Sequence, residues 1–502
     1  VILYEITDYA VVLESAQGLF TCDAAQRLDR QTKTCQQDQQ TRKNKTSHRA
    51  NLASAETAKA TRNHIQQTPA RHCSAALLRS LTKHFTLTSL TNMTGLGSDT
   101  WLEVSEIDEE SDLHTRATTF VAAIQWEKLI TFASSVRGTP CTLSEKYSLG
   151  HFNLVRRLTF SDGVNWVVRL RLPELPSVFG SREAMKAADC MSIEVATMNY
   201  LRLNTDIPVP EVFGHDLSAD NVVGAPYILM SYIHGTVAAD FQEAQDCGNG
   251  VFGSPEQDRR FWSQMAKIHA QLAGLTFDKI GSLCQDGDRF TIGPEIETGE
   301  GPWNTPKEYY EAILRHRMDV ANTDAPSEVR DSDSFTFPSK FMELMQSFES
   351  PKSGPFGLAN RDFGAHNVLV DNQFNVVGLI DFDGVMAAPS AVVAQLPGFM
   401  GLSRPVPGFV ETREFAVKRL KESAHLLPRY TELVQAAVAG QEVSTGKKDI
   451  SGLAEMLVSD AASMVQGLNE FGQHRDLVND RWSAAYAVLL QKKRGKSAAM
   501  ED

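Results

Sequence analysis

Strict alternation marks the first readable structure in this chain. Trp166, Val168, Leu170 and Leu172 fall on one side of an extended segment, with Val167, Arg169 and Arg171 on the other. The run 147–160 (YSLGHFNLVRRLTF) upstream is also strand-like, and Ser161, Asp162 and Gly163 between the two supply a tight turn, so a hairpin is predicted. The basic side of its second strand reads either as the polar face of an edge strand or as a cation held against an acid. A helix is predicted over 181–204, stopped by Ile207, Pro208, Val209 and Pro210. Within it Glu194, Met198 and Leu201 fall at i, i+4 and i+7, placing an acid on an apolar stripe. A carboxylate buried there needs a cation, Arg169 first and Arg171 second. The continuous apolar run 225–233 (APYILMSYI), followed by His234 and Gly235, predicts a buried strand leading into a hinge.

Elsewhere the patterns are weaker. Phe120, Ile124, Leu129 and Phe132 predict a helix over 118–134, after an acidic stretch, 99–112 (DTWLEVSEIDEESD), that reads as a solvated leader. Helices are also predicted around 306–319 and over 412–439 and 449–493, while 284–355 otherwise reads as a Gly/Glu-rich loop and a polar linker, an insertion suited to shaping a substrate pocket. Glu295, Glu297 and Glu300 in that loop read as solvated charges, with attraction of an amine as the alternative. The KKRGK tail (492–496) reads as a solvated helix end, and 31–91, rich in Gln, Thr, Ser, Asn and Ala, as disordered or loosely helical.

Composition changes this picture in three ways. The 502 residues exceed one ordinary core, so several units or one large two-lobed fold are expected. The net charge of −13 conceals a split: residues 1–97 carry +5 and the rest −18, so the body is poorly suited to nucleic acid. The first 92 residues contain no methionine, which makes Met93 a plausible start. No apolar run reaches the roughly 18 residues of a membrane span, and the seven cysteines form no C-x-x-C pair. Neither membrane nor nucleic acid is expected as a partner, the thiols are expected to be reduced, and the cytoplasm is the default compartment. A mitochondrial presequence is the alternative, since 39–92 is basic and hydroxyl-rich with the single acid Glu56.

The richest segment chemically is 360–384 (NRDFGAHNVLVDNQFNVVGLIDFDG). A loop carrying Asp362 and, five residues later, Asn367 leads into the strand 368–370, a turn at 371–375, and the strand 376–380, which delivers Asp381. Such a hairpin brings an amide oxygen and a carboxylate to one site, with Asp362 on the adjoining loop. Hard oxygen ligands of that kind suit Mg²⁺, which keeps several waters and completes its shell with phosphates. A further carboxylate can take the proton of an attacking hydroxyl.

The run N-R-D-x-x-x-x-N, the hairpin and I-D-F-D resemble the core of the aminoglycoside phosphotransferase superfamily in its fungal branch, where the pattern is H-x-D-x-x-x-x-N followed by I-D-[WF]-[DE]. Leu149 to Leu172 is similar to the family's nucleotide-covering loop and third strand, Glu194 to its helix acid, 226–235 to its hinge strand, and 261–283 to a long helix and turn. The resemblance implies an α+β, two-lobed protein-kinase-like fold: a small antiparallel-sheet lobe with one main helix over 146–233, and a larger, mainly helical lobe over 234–491. Residues 1–97 (low complexity), 98–145 (leader and helix) and 492–502 (tail) would flank it. It implies ATP and Mg²⁺ as cofactors and a hydroxyl of a small molecule as acceptor. Asp362 would be the catalytic base and Asn367 and Asp381 the metal ligands. Arg169, partnered by Glu194, would contact phosphate, Gly150 would sit in the covering loop, and Met230 and Tyr232 would lie on the hinge against the adenine edge. Asp383 would assist at the metal or serve an acceptor amine. Asn360 stands where the family has histidine, Arg169 where it has lysine, and the covering loop lacks G-x-G-x-x-G. These departures motivate the alternative of an impaired, kinase-shaped nucleotide-binding or scaffold protein.

Overall fold

The computed structural model describes residue 101 and residues 112–150, 152–173, 185–324, 337–348, 354–440, 449–473 and 485–492. The expectations for 1–97, for nearly all of the acidic leader and for the tail from 493 onward lie outside these residues.

Two helices precede the first sheet, α1 (Asp112–Ala123) and α2 (Trp126–Arg137), where the sequence pattern suggested one. The break falls at Ile124 and Gln125, and α2 stops at Gly138, whose φ of 73° is the left-handed closure that glycine permits. A five-stranded antiparallel sheet follows, built from β1 (Cys141–Leu149), β2 (Asn153–Phe160), β3 (Asn165–Arg171), β4 (Val212–Asp216) and β5 (Tyr227–Ser231) in the order β1-β2-β3-β5-β4. The strand-like run 147–160 is therefore shared between two strands, one ending at Leu149 and the next beginning at Asn153. Strand β3 is the centre of the sheet, not an edge. Its apolar face, Trp166, Val168 and Leu170, packs with Leu154, Leu158 and Leu229 and is covered by Phe120 and Leu129 of α1 and α2. Each fully buried leucine there contributes on the order of 2 kcal/mol. Helix α3 (Ala187–Asn204) lies between β3 and β4 in sequence and buries Glu194, Met198 and Leu201, the predicted stripe.

The chain leaves β5 through residues 232–235 into β6 (Thr236–Val237) and α4 (Ala238–Ala244). Helix α5 (Pro255–Ala273) starts on a capping box, with Ser254 and Gln257 each accepting the other's backbone N–H and Pro255 at the first helical position. A hairpin that the sequence reading missed, β7 (Gly281–Asp286) and β8 (Arg289–Gly293), precedes α6 (Pro306–Asp324) and α7 (Phe337–Phe348). Next come β9 (Gly357–Asn360), a 3₁₀ turn (Ala365–Asn367), β10 (Val368–Val370), β11 (Val376–Leu379) and β12 (Val385–Ala388). Two further sheets result, β11-β10-β6 and β8-β7-β12-β9. The remainder is helical: α8 (Ser390–Val393), α9 (Glu414–Ser423), α10 (Leu426–Ala439), α11 (Leu453–Leu457) and α12 (Asp460–Gln473). The arrangement is the expected α+β one, a small antiparallel sheet with one main helix followed by a larger, mainly helical part.

Candidate active site

Backbone pairing assembles the site. Val368 is opposite Leu379 in the β10–β11 ladder, and the Ile380 amide donates to Asn367 O at 3.0 Å, so Asn367 and Asp381 leave the same end of one hairpin. Asp381 has a φ of 62°, a left-handed conformation that aspartate tolerates better than most residues and that turns the chain out of its strand. The loop bearing Asp362 is clamped from below: the Gly398 amide donates to Phe363 O at 2.8 Å and the Ala365 amide to Gly398 O at 3.0 Å.

Asp362 is exposed, with 59% of its side chain accessible, yet both its oxygens are held. Asn367 Nδ2 donates to its Oδ2 at 2.7 Å and to its backbone oxygen at 3.1 Å, while His366 Nε2 contacts its Oδ1 at 2.9 Å. Pinning the amide nitrogen of Asn367 in this way leaves its oxygen as the group available to a cation. Two of the three predicted groups, Asp362 and Asn367, are thus in direct contact, and the hairpin brings the third, Asp381, alongside Asn367.

From the small sheet, Arg169 reaches across to this hairpin. It is buried, bonds Glu194 through Nη1, and donates from Nη2 to Asp381 Oδ1 at 3.0 Å. With its amide assigned by hydrogen bonding, Asn153 adds a side-chain oxygen 3.1 Å from Arg169 Nε. Burial works against the charge of this guanidinium, but Asp381 and Asp383 outweigh it and raise its pKa above the ordinary value. Arg171 repeats the theme, donating to Asp383 Oδ2 at 3.0 Å. Both arginines of the predicted basic face therefore hold aspartates of the I-D-F-D segment.

Oxygen ligation of a Mg²⁺ ion fits these residues. Asn367 Oδ1 and the Asp381 carboxylate are hard donors on adjacent strand ends, and no cluster of three or more His, Cys, Asp or Glu competes as a metal cage among the described residues. A short protein ligand set is what a cation that keeps waters and phosphate oxygens requires.

The other predicted positions are more peripheral. Gly150 donates its amide to Asn153 O at 2.8 Å, and a Cβ on Gly150 would meet that oxygen at an ordinary 3.6 Å, so the fold itself does not demand glycine there. Met230 is buried within β5, and the Tyr232 amide donates to Asn165 O at 3.3 Å. For Glu295 and Glu297, though not for Glu300, the structure overturns the reading as solvated charge. Glu295 is fully buried and accepts from Arg361 Nη2 at 2.7 Å, and Glu297 is gripped by Arg317 Nε at 2.5 Å and Nη2 at 2.8 Å. Burial disfavours the Glu297 carboxylate, yet Arg317 and Arg361 hold its pKa down to about 2. Glu300 remains half-exposed, paired with Arg315. Glu295 and Glu297, committed to Arg361 and Arg317, are not available to bind an amine.

A cavity of about 140 Å³ adjoins the loop, lined in part by Asn360, Asp362, His366, Gln395 and Phe399. Sequence reasoning passed over His366 and Arg361, both inside the motif itself. The signal for His366 was its position four residues after Asp362, within reach of it on a single turn.

Residues 146–392 match the family model described as the phosphotransferase enzyme family. Among curated proteins the chain is similar to altered inheritance of mitochondria protein 9, mitochondrial, of two yeasts. The Debaryomyces hansenii protein is 29% identical over 339 residues (53% of this chain, 51% of that protein), and the Clavispora lusitaniae protein 22% identical over 286 (43% and 46%). The chain thus spans about half the length of the curated relatives it matches. Among solved structures, a thermostable mutant of the aminoglycoside phosphotransferase APH(4)-Ia aligns over 73% of this chain and 99% of its own, at 15% identity and a TM-score of 0.38. A putative fructosamine-3-kinase from Thermobifida fusca aligns over 72% and 98%, also at 15% and 0.38. Across residues 146–392, just under half of its length, this chain is similar to the phosphotransferase enzyme family.

Proposed function

We propose that the protein is an ATP- and Mg²⁺-dependent phosphotransferase acting on a hydroxyl of a small molecule. The observation that carries this reading is the grip of Asn367 Nδ2 on Asp362 Oδ2 at 2.7 Å, which ties the base to a ligand whose oxygen is turned elsewhere. Asp362 orients the acceptor hydroxyl and takes its proton as the oxygen attacks the γ-phosphorus; the bond to the β-phosphate oxygen breaks and ADP leaves. Arg169, fixed by Glu194, exchanges its Asp381 arm for phosphate oxygens, and its planar fork suits them. Mg²⁺, when bound by Asn367 and Asp381, supplies neutralisation of phosphate charge. The cavity beside Asp362 matches a single six-membered ring in volume, at about 140 Å³, and supports a compact acceptor.

Mg²⁺-dependent ADP release tests the reading. We expect release from the full chain, with Asp362→Ala and Asp381→Ala lowering it at least ~100-fold; equal turnover in those variants removes the assignment. The second reading, a kinase-shaped binding or scaffold protein, is favoured by the Arg169–Asp381 pair, which occupies one ligand carboxylate. Under its scaffold form, ATP and Mg²⁺ leave the melting temperature unchanged; under its nucleotide-binding form they raise it without ADP release. For the compartment, the cytoplasmic expectation stands against relatives whose names carry mitochondrial, and imaging of a C-terminally tagged chain separates the two.

A further inference from the structure

Asp362 is the exposed end of an otherwise buried arrangement. Its carboxylate would rotate freely in solvent, yet one donor sits on each oxygen: Asn367 Nδ2 on Oδ2 at 2.7 Å and His366 Nε2 on Oδ1 at 2.9 Å. Asn367 has a second task as a metal ligand. His366 has none in the mechanism above, and it is almost fully buried. Its ring stands edge-on to Phe399, centroids 4.4 Å apart, and it fits beneath Gly398, where a Cβ would lie 3.4 Å from Cε1.

A carboxylate can only accept, so Nε2 carries a proton. Nδ1 has no partner among the described residues, although it is buried. Leaving a buried polar atom unsatisfied is costly, and natural structures keep such atoms for a reason. Here the other nitrogen supplies that reason, because the ring packing aims Nε2 at the exposed carboxylate.

We infer that His366 is a positioning residue for Asp362, an inference that rests on the phosphotransferase reading. The Nε2–H bond stops rotation of the carboxylate about its Cβ–Cγ bond and leaves its outward lone pair directed at the acceptor. During transfer the hydroxyl proton passes to Asp362, the new O–P bond forms as the bridging P–O bond breaks, and His366 keeps its own proton throughout.

Three substitutions separate this role from simple packing. His366→Phe preserves ring packing on Phe399 but has no donor; His366→Gln restores an amide N–H near the place of Nε2; His366→Asn reaches only to the place of Nδ1. With Mg²⁺-ATP and water as acceptor, we expect His366→Phe and His366→Asn to lower kcat about 10- to 100-fold with KM for ATP within about 2-fold, the loss typical of a misplaced reacting group. His366→Gln should return kcat to within about 5-fold of the parent, since it restores the donor. Wild-type kcat in His366→Phe, or equal loss in the Gln and Asn variants, overturns the inference. Absence of ADP release from the parent protein, with water or any hydroxylated acceptor, would instead count against the phosphotransferase reading. The bond itself is then read by NMR: a slowly exchanging Nε2–H resonance that disappears in Asp362→Ala supports the role. A ring protonated only at Nδ1 refutes it.

Discussion

His269 shows how one buried side chain can set a pH limit. Its Nε2 is 2.8 Å from Val393 O, so that nitrogen donates, and Nδ1 accepts from the Tyr430 hydroxyl at 2.9 Å. With both nitrogens committed to a neutral ring, burial lowers its pKa to about 4. The unfolded chain, with an ordinary histidine near 6.5, binds more protons between pH 6.5 and 4, so stability rises with pH across that window and is lost as pH falls through it. Chemical denaturation at pH 7 and pH 5 should show this loss, and His269→Gln should flatten the dependence by about one proton; an unchanged slope would show that the ring is not the source. Single residues of this kind were hard to read from sequence. Arg169 and Glu194 were legible because each sat on a periodic face that made its charge conspicuous, whereas His269 lies on a helix whose pattern gives no hint of Tyr430 so far along the chain.

Among elements, the hairpin β10–β11 was almost fully readable, since apolar VLV and VVGL flank turn-forming residues and the period alone fixes which ends meet. The hairpin β7–β8 was not: its strands are only partly buried and their alternation is broken by Cys284 and Gln285. The 3₁₀ turn and its clamp escaped too, because the close approach of Gly364 to Gly398 joins segments with no shared pattern. That approach is testable. A Cβ on Gly364 would come within 2.4 Å of Gly398 O and 2.8 Å of Gly398 N, both backbone atoms that cannot swing aside. We expect Gly364→Ala to cost about 1–3 kcal/mol in urea unfolding and to lower ADP release more than Gly452→Ala, where φ is −87° and a Cβ would meet only Glu455 Oε2 at an ordinary 3.6 Å. Equal behaviour of the two would mean the clamp does not hold the loop.

Across the described residues as a whole, the acidic insertion and the loop bearing Asp362 form one ionic assembly. Arg361, the neighbour of Asp362, bonds Glu295 and also Gly384 O at 2.9 Å; Arg317 of α6 grips Glu297 and reaches Leu468 O at 2.6 Å in α12. None of these pairings follows from local pattern, since the partners lie tens of residues apart, which is why the glutamates read as solvated. With the Glu297 pKa held near 2 against an ordinary 4.5, its contribution is complete above pH 4.5 and is lost as pH falls toward 2. That shift corresponds to on the order of 3 kcal/mol. Glu297→Gln should therefore lower the melting temperature at pH 7 far more than at pH 3; a loss independent of pH would assign the effect to packing.

The segments bearing Asp362 and Asp383 also share a ladder. Strand β9 ends at Asn360, which pairs with Val385 at the start of β12, so Asp362 and Asp383 emerge together from one edge of the same pair of strands. Asp362 and the I-D-F-D segment are thereby held at a separation set by main-chain hydrogen bonds. The ladder behaves as a vernier whose finest division is a single residue: a one-step slip would turn every side chain of the shifted strand to the opposite face and part Asp362 from Asp383 at once.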